Sequence, residues 1–279
     1  MTSRKAFMVW HKIGLLLLTL CCAALTVSAS IPAKTKSSMI IAHRGASGYA
    51  PENTMASFEL AERLGADFIE LDVRMSRDGE LVVIHDKMVD RTTKFTGYVH
   101  NYTLRELQGM DVGSYFGADY SDETIVSLQE VMDRFAGRIG ILIEIKDPPL
   151  YPGIEKKLAD IVRQYQLLQD VTGNVGITGG IIIQSFDFES VRRIHSMLPG
   201  IPVAVLIHPD QHPLSEETMD QLASYASYIN YSHDLLDKEI IREIHDRNRE
   251  VMAWTIRNDR DMKRMKKLRV DGIITDYPG

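Results

Sequence analysis

Two acidic side chains, Glu70 and Asp72, stand two positions apart in a stretch that otherwise reads as an apolar β-strand, DFIELDVRM at 67–75. Alternate residues of a strand share a face, so both carboxylates point the same way. Like charges at that spacing repel, and burying them without a partner is costly or forces one to keep its proton. A divalent cation is the simplest remedy, because hard cations take carboxylate oxygen. Taken alone, such a pair more often marks an exposed edge strand with solvated acids. The surrounding residues argue for the cation. Ser76-Arg77-Asp78-Gly79 turns the chain, and a second strand over 81–84 delivers His85, with Asp86 beside it either orienting a neighbour or simply solvated.

Other polar residues fall where apolar runs end: His43 and Arg44, Glu144 and Lys146, Gln184, His208, Trp254 and Asp276. Glu70, Asp72 and Glu144 together suit a Ca²⁺ or Mg²⁺ site completed by water and substrate oxygen. Arg44 and Lys146 add positive charge that no neighbouring acid in the sequence obviously needs, which fits an anionic substrate such as a phosphate. His43 and His85 titrate near neutrality and can serve as base and acid. Cation, arginine, lysine and two imidazoles together fit in-line phosphoryl transfer, with charge stabilised on the phosphate while protons move at the two ester oxygens.

Such residues converge only if the fold gathers strand ends. The chain alternates strand and helix patterns: strands at 39–42, 67–75, 139–145, 180–184, 203–207, 228–231, 251–256 and 272–275, and helices at 53–64, 127–135, 154–168, 188–198, 215–225, 238–248 and 260–268. Repeated strand–helix units imply parallel strands with right-handed crossovers. Eight such strands, with the 81–84 hairpin strand set aside, predict an α/β fold, a closed (β/α)8 barrel whose active site lies at the carboxyl ends of its strands. An open doubly wound sheet is the competitor, weakened because no glycine-rich dinucleotide fingerprint follows the first strand. The alternation stops over 87–124, an aromatic and glycine-rich insertion with one short helix near 104–108. Its aromatic residues are expected either to form their own small core or to face substrate.

The chain has 279 residues, 44% hydrophobic and 25% charged, with a formal net charge of -6. It is long enough for one large domain, and it carries no basic field of the kind nucleic acid requires. Residues 1–29 read as a signal peptide: Arg4, Lys5 and Lys12 precede an apolar run over 13–27, and Val27-Ser28-Ala29 offers small residues at a cleavage point. The run is shorter than the ~20 residues of a spanning helix, and an uncleaved anchor is the alternative and the only expected membrane contact. Residues 30–38 form a polar leader, and 39–279 the domain. Cys21 and Cys22 lie within the signal segment, and Leu20 before them disfavours lipid attachment, so the mature chain is cysteine-free, exported or cell-envelope associated, and built without disulfides. His195, His212, His233 and His245, and the basic run Lys263, Arg264, Lys266 and Lys267, are expected on the surface.

Eight motifs in order carry a resemblance: HRG at 43–45, ENT at 52–54, ELD at 70–72, HD at 85–86, EIK at 144–146, QSF at 184–186, WT at 254–255 and DGIITDYP at 271–278. Over 39–279 the chain resembles the glycerophosphodiester phosphodiesterase family. The resemblance implies a TIM barrel with an insertion after the second strand, a metal held by Glu70, Asp72 and Glu144, and acid–base roles for His43 and His85. It further implies that Arg44 and Lys146 hold the phosphate, that Gln184 joins the substrate-binding set, that Glu52 stands near the metal, and that Trp254 packs on the alcohol portion. The implied reaction is hydrolysis of a small glycerophosphodiester to an alcohol and glycerol 3-phosphate. Lysophospholipid hydrolysis of phospholipase D or C type, and a non-catalytic surface binding protein, are the alternatives.

Overall fold

A computed structural model describes residues 37–172 and 180–279. The expected signal segment and all but the end of the leader lie outside the described residues. Eight strands form one closed parallel ring: β1 (Met39–Ala42), β2 (Phe68–Met75), β4 (Gly140–Ile145), β5 (Ile181–Ser185), β6 (Val203–Ile207), β7 (Tyr228–Ser232), β8 (Met252–Ile256) and β9 (Gly272–Thr275). β1 pairs with β9 on one side and β2 on the other, which closes the barrel and excludes the open sheet. β3 (Leu81–Val83) is a short hairpin strand that runs antiparallel to the end of β2.

Helices cover the outside: α1 (Met55–Arg63), α3 (Leu128–Phe135), α4 (Ile154–Thr172), α5 (Phe188–Met197), α6 (Glu216–Ala223), α7 (Lys238–Asp246) and α8 (Asp259–Leu268). Their starts are written locally. Thr54 and Ser57, and likewise Ser127 and Glu130, exchange side-chain and backbone hydrogen bonds at the first turns of α1 and α3. β9 runs into the irregular segment Asp276–Gly279. Among the described residues no helix is long and apolar enough to cross a membrane.

The period of two along each strand divides the core into two layers. Ile69, Leu71, Val73, Ile141, Ile143 and Ile145 face outward and pack with helix residues such as Phe58 and Phe135, whose rings meet edge to face at 6.1 Å. Ile41, Phe68, Leu142, Ile182, Ala204, Met252 and Ile274 face inward and plug the barrel. Gly140 belongs to this plug: a Cβ there would stand 2.4 Å from the Phe68 ring. Above the plug the inward positions become polar, and the site begins.

The insertion departs from β3 as expected. It contains α2 (Leu104–Leu107) and two 3-10 turns, Val99–Asn101 and Ala118–Tyr120. Its core is aliphatic: Val89, Val99, Leu107, Met110, Val112 and Ile125 close over Val82 and Ile84. The aromatic side chains Phe95, Tyr98, Tyr115 and Phe116 are exposed instead. Tyr102 packs against that aliphatic core, and the Phe116 ring stands edge to face with Tyr115 at 6.4 Å and Tyr120 at 5.6 Å.

Candidate active site

Strand register places the acids. Asp72 on β2 lies opposite Glu144 on β4, which lies opposite Gln184 on β5, so three polar side chains sit side by side one level above the apolar plug. Glu70 lies one inward step lower on β2. Oxygen atoms of Glu70, Asp72 and Glu144 lie within 4.8 Å of one another, and all three residues are buried. Burial and the neighbouring charges of Asp72 and Glu144 push Glu70 well above the ordinary carboxylate range. Burial works the same way on Asp72, but Lys146, Arg44 and the Asn53 amide overcome it and hold Asp72 ionised far below its usual value. Asn53 Nδ2 donates to Asp72 Oδ2 at 2.9 Å and its own Oδ1 accepts from the Asp72 amide at 3.3 Å.

Arg44 and Lys146 are not spare charges, contrary to the sequence expectation. Lys146 Nζ donates to Glu144 Oε1 at 2.6 Å and stands 3.7 Å from Asp72 Oδ1. Arg44 donates to Glu52 Oε1 at 2.9 Å and places its Nε, buried without a hydrogen bond, 3.4 Å from Asp72 Oδ2. The pairs Lys146–Glu144 and Arg44–Glu52 are local in the chain, and only the contacts with Asp72 are made by strand ends that the ring brings together. The sum still leaves an excess of acid: Glu70, Asp72, Glu144, Glu52 and Asp86 face Arg44, Lys146 and Arg91. An all-oxygen donor set with surplus negative charge fits a hard divalent cation such as Ca²⁺ or Mg²⁺.

The turn after β1 aims the next residues. Arg44 and Gly45 both adopt left-handed backbone, φ 53° and 78°. That bend points the Arg44 amide at Glu70 Oε2, 2.8 Å away. A Cβ at Gly45 would meet Ser57 Oγ at 2.3 Å, so glycine is required there. His43 Nδ1 lies 2.6 Å from Asp276 Oδ1, at the end of β9, and Arg257 Nε donates to Asp276 Oδ2 at 2.7 Å.

His85 mirrors this arrangement: its Nδ1 lies 2.6 Å from Asp86 Oδ1. Burial pushes the His85 imidazole below its ordinary value despite the attraction of Asp72. Its backbone carbonyl accepts from Nε and Nη2 of the buried Arg74, at 2.9 and 2.6 Å. In both histidines a carboxylate fixes Nδ1 as the protonated nitrogen of the neutral ring and leaves Nε2 as the basic one.

One cavity of about 320 Å³ is lined by His43, Arg44, Glu70, His85, Glu144, Lys146, Gln184 and Trp254. Eight of the sequence candidates therefore meet. Asp72 lies beneath this lining, and Glu52 lies to the side, its carboxylate between Arg44 and Arg91. His208 is exposed and engaged with Asp210 and Gln211 of its own turn, with the Phe186 ring 6.0 Å away between centroids. His233, expected on the surface, is a correction: it follows β7 and lines the cavity with Ser232 and Asp234, its Nδ1 buried without a hydrogen bond. A lone histidine after a short strand carries no sequence signal for this position. Phe186 stands edge to face with Trp254 at 5.5 Å and 5.8 Å from Lys146 Nζ, forming the apolar wall. Sequence reasoning also passed over Asn53, which sits at φ 58°, and Asn230, which donates to Gln184 Oε1 at 3.2 Å and so orients it beside Glu144. Only the ENT motif hinted at Asn53.

Comparison with known proteins follows the same lines. A sequence profile described as Glycerophosphoryl diester phosphodiesterase family matches residues 43–279. YhdW of Bacillus subtilis is 42% identical over 239 residues, covering 86% of this chain and 94% of that protein. A glycerophosphodiester phosphodiesterase of Caldanaerobacter subterraneus is 38% identical over 242 residues, covering 86% and 94%. Among solved structures, an Oleispira antarctica phosphodiesterase in complex with the product sn-glycerol-3-phosphate superposes with a TM-score of 0.73 at 27% identity, covering 87% of this chain and 94% of that one. The barrel, the convergence of the motifs and these likenesses lead to one assignment: the chain belongs to the glycerophosphoryl diester phosphodiesterase family.

Proposed function

We propose that this protein is an exported, metal-dependent phosphodiesterase that hydrolyses glycerophosphodiesters to an alcohol and glycerol 3-phosphate. The observation that carries the reading is the meeting of two carboxylate-oriented imidazoles, a three-acid cluster and two phosphate-competent cations around one small cavity. The product named in the Oleispira complex supports the substrate class. So does the cavity's volume, which suits a small diester better than an acylated lipid. Export rests on the N-terminal sequence pattern.

Glu70, Asp72 and Glu144 would hold the metal, which when bound supplies positive charge to the phosphate. Arg44 and Lys146, whose charged side chains line the cavity, would bind phosphate oxygens. One of His43 and His85 takes onto Nε2 the proton of the attacking oxygen as it bonds to phosphorus. That oxygen belongs either to a water or to the neighbouring glycerol hydroxyl, the second giving a cyclic phosphate that water then opens. The other, protonated, returns one to the leaving alcohol oxygen as the phosphorus–oxygen bond breaks. Asp276 and Asp86 stabilise whichever ring is charged. Phe186 and Trp254 give the alcohol an apolar wall that limits water.

The test is turnover of a panel of glycerophosphodiesters and lysophospholipids by wild type, His43→Ala and His85→Ala, with EDTA or added Ca²⁺ or Mg²⁺. Wild type is expected to release glycerol 3-phosphate only with metal, and each variant to lose about 10²–10⁴-fold in kcat. Full turnover in either variant removes that histidine from acid–base work, and preference for lysophospholipids overturns the substrate assignment.

A further inference from the structure

The insertion supplies a side chain that touches neither cavity nor metal ligands yet is bonded to the partners of two groups that do line the cavity. Arg91 is half-exposed and uses its whole guanidinium fork. Nε donates to Asp86 Oδ2 at 2.7 Å and Nη2 to Asp86 Oδ1 at 3.2 Å. Nη1 donates to Glu52 Oε2 at 2.7 Å and Nη2 to Glu52 Oε1 at 2.8 Å. Each carboxylate has a second bond inward: Asp86 Oδ1 to His85 Nδ1 at 2.6 Å, and Glu52 Oε1 to Arg44 Nη1 at 2.9 Å. The result is a continuous chain, His85–Asp86–Arg91–Glu52–Arg44, with Arg91 at its midpoint.

We propose that Arg91 is a positioning residue, through which the insertion holds His85 and Arg44 in their working orientations by clamping Asp86 and Glu52 together. The proposal rests on the phosphodiesterase reading of the site. An isolated surface ion pair contributes little, but a planar fork bonded to two carboxylates at once fixes their directions as well as their charge. The insertion anchors that fork. Val89 is buried in its core and its amide donates to the Gly97 carbonyl at 3.0 Å, while Tyr115 Oη accepts from the Glu52 amide at 3.3 Å, a second insertion contact on the same residue. Without Arg91, Asp86 and Glu52 would repel each other. Glu52 would keep Arg44 as its remaining cation and draw it from the phosphate, which raises KM. Asp86 would turn from His85 and release the imidazole, which lowers kcat.

The experiment measures kcat and KM for glycerophosphocholine, at saturating metal, in wild type and in Arg91→Lys, Arg91→Met, Asp86→Asn and the Arg91→Met/Asp86→Asn pair, with thermal midpoints alongside. Loss of a supporting partner around a site typically costs about 10–100-fold, and that loss in kcat is expected for Arg91→Met, with KM raised several-fold. Arg91→Lys keeps the charge but not the fork and should fall between. The double variant should match the worse single variant in kcat, because both changes cut the same chain. Wild-type kcat and KM in Arg91→Met, or losses that multiply in the double variant, overturn the proposal. Should Arg91→Met fail to fold, wild-type constants in folded Arg91→Lys overturn it equally. Absence of turnover in wild type itself would instead remove the phosphodiesterase reading, and the proposal with it.

Discussion

Replacing Glu70 by glutamine tests the electrostatics of the acid cluster directly. Glu70 is fully buried beside Asp72 and Glu144, and those surroundings raise its affinity for a proton. A group whose folded-state pKa is raised contributes stability that is fully present below its unfolded value, near 4.3 for glutamate, and lost as pH rises through the folded value. In EDTA the wild type should therefore lose stability as pH climbs from about 4.3 toward neutrality. Glu70→Gln should be flat in that window, since its amide oxygen still accepts from the Arg44 amide, now at 2.8 Å from Glu70 Oε2, and it brings no charge. Metal reverses the ranking. Ca²⁺ or Mg²⁺ at a hundred times its dissociation constant stabilises a one-site protein by about 2.7 kcal/mol. For a domain of this size that is a rise of about 5–10 °C in the thermal midpoint. Glu70→Gln loses a charged ligand, so its rise should be only about 1–2 °C at the same metal concentration. Scanning calorimetry at pH 5 and pH 7.5, with EDTA or metal, gives all the comparisons. A variant that gains the full metal shift, or that unfolds far below wild type in EDTA at pH 7.5, would refute the cluster as a cation site held together against its own repulsion.

Three further outcomes are expected. Asn53→Ala leaves the buried Asp72 carboxylate and amide without their partners and should cost about 1–3 kcal/mol in urea denaturation, so a loss below about 0.5 kcal/mol would show that other donors suffice. Gly140→Ala drives a methyl group into the Phe68 ring at the floor of the barrel and should destabilise by about 1–3 kcal/mol, whereas an unshifted urea midpoint would mean that the plug repacks freely. Burial lowers the His85 pKa, so an NMR titration of its ring should give an apparent value below about 6.5, and a value above that would mean that the attraction of Asp72 and Asp86 outweighs its partial burial.

What was legible in the sequence was everything governed by local period and composition. Alternation of β-branched runs with helix patterns located eight barrel strands and the seven covering helices, because a strand or helix with an apolar face must bury it. The spacing of Glu70 and Asp72 announced a shared face, and the strand-end positions of His43, His85, Glu144 and Lys146 announced a shared rim. Partnership was not legible. Asp72 meets Glu144 only through the β2–β4 register, His43 meets Asp276 only because the ring closes between β1 and β9, and it is the register that brings Asp72 within reach of both Arg44 and Lys146. His233 and Arg91 carry no distinguishing neighbours in the chain, and their places depend on a loop's path and on the insertion folding over Glu52. The period of a strand is a property of the backbone and can be read along it. Closing the barrel brings together groups up to 233 positions apart, as His43 and Asp276 are, and only that closure decides which charge faces which.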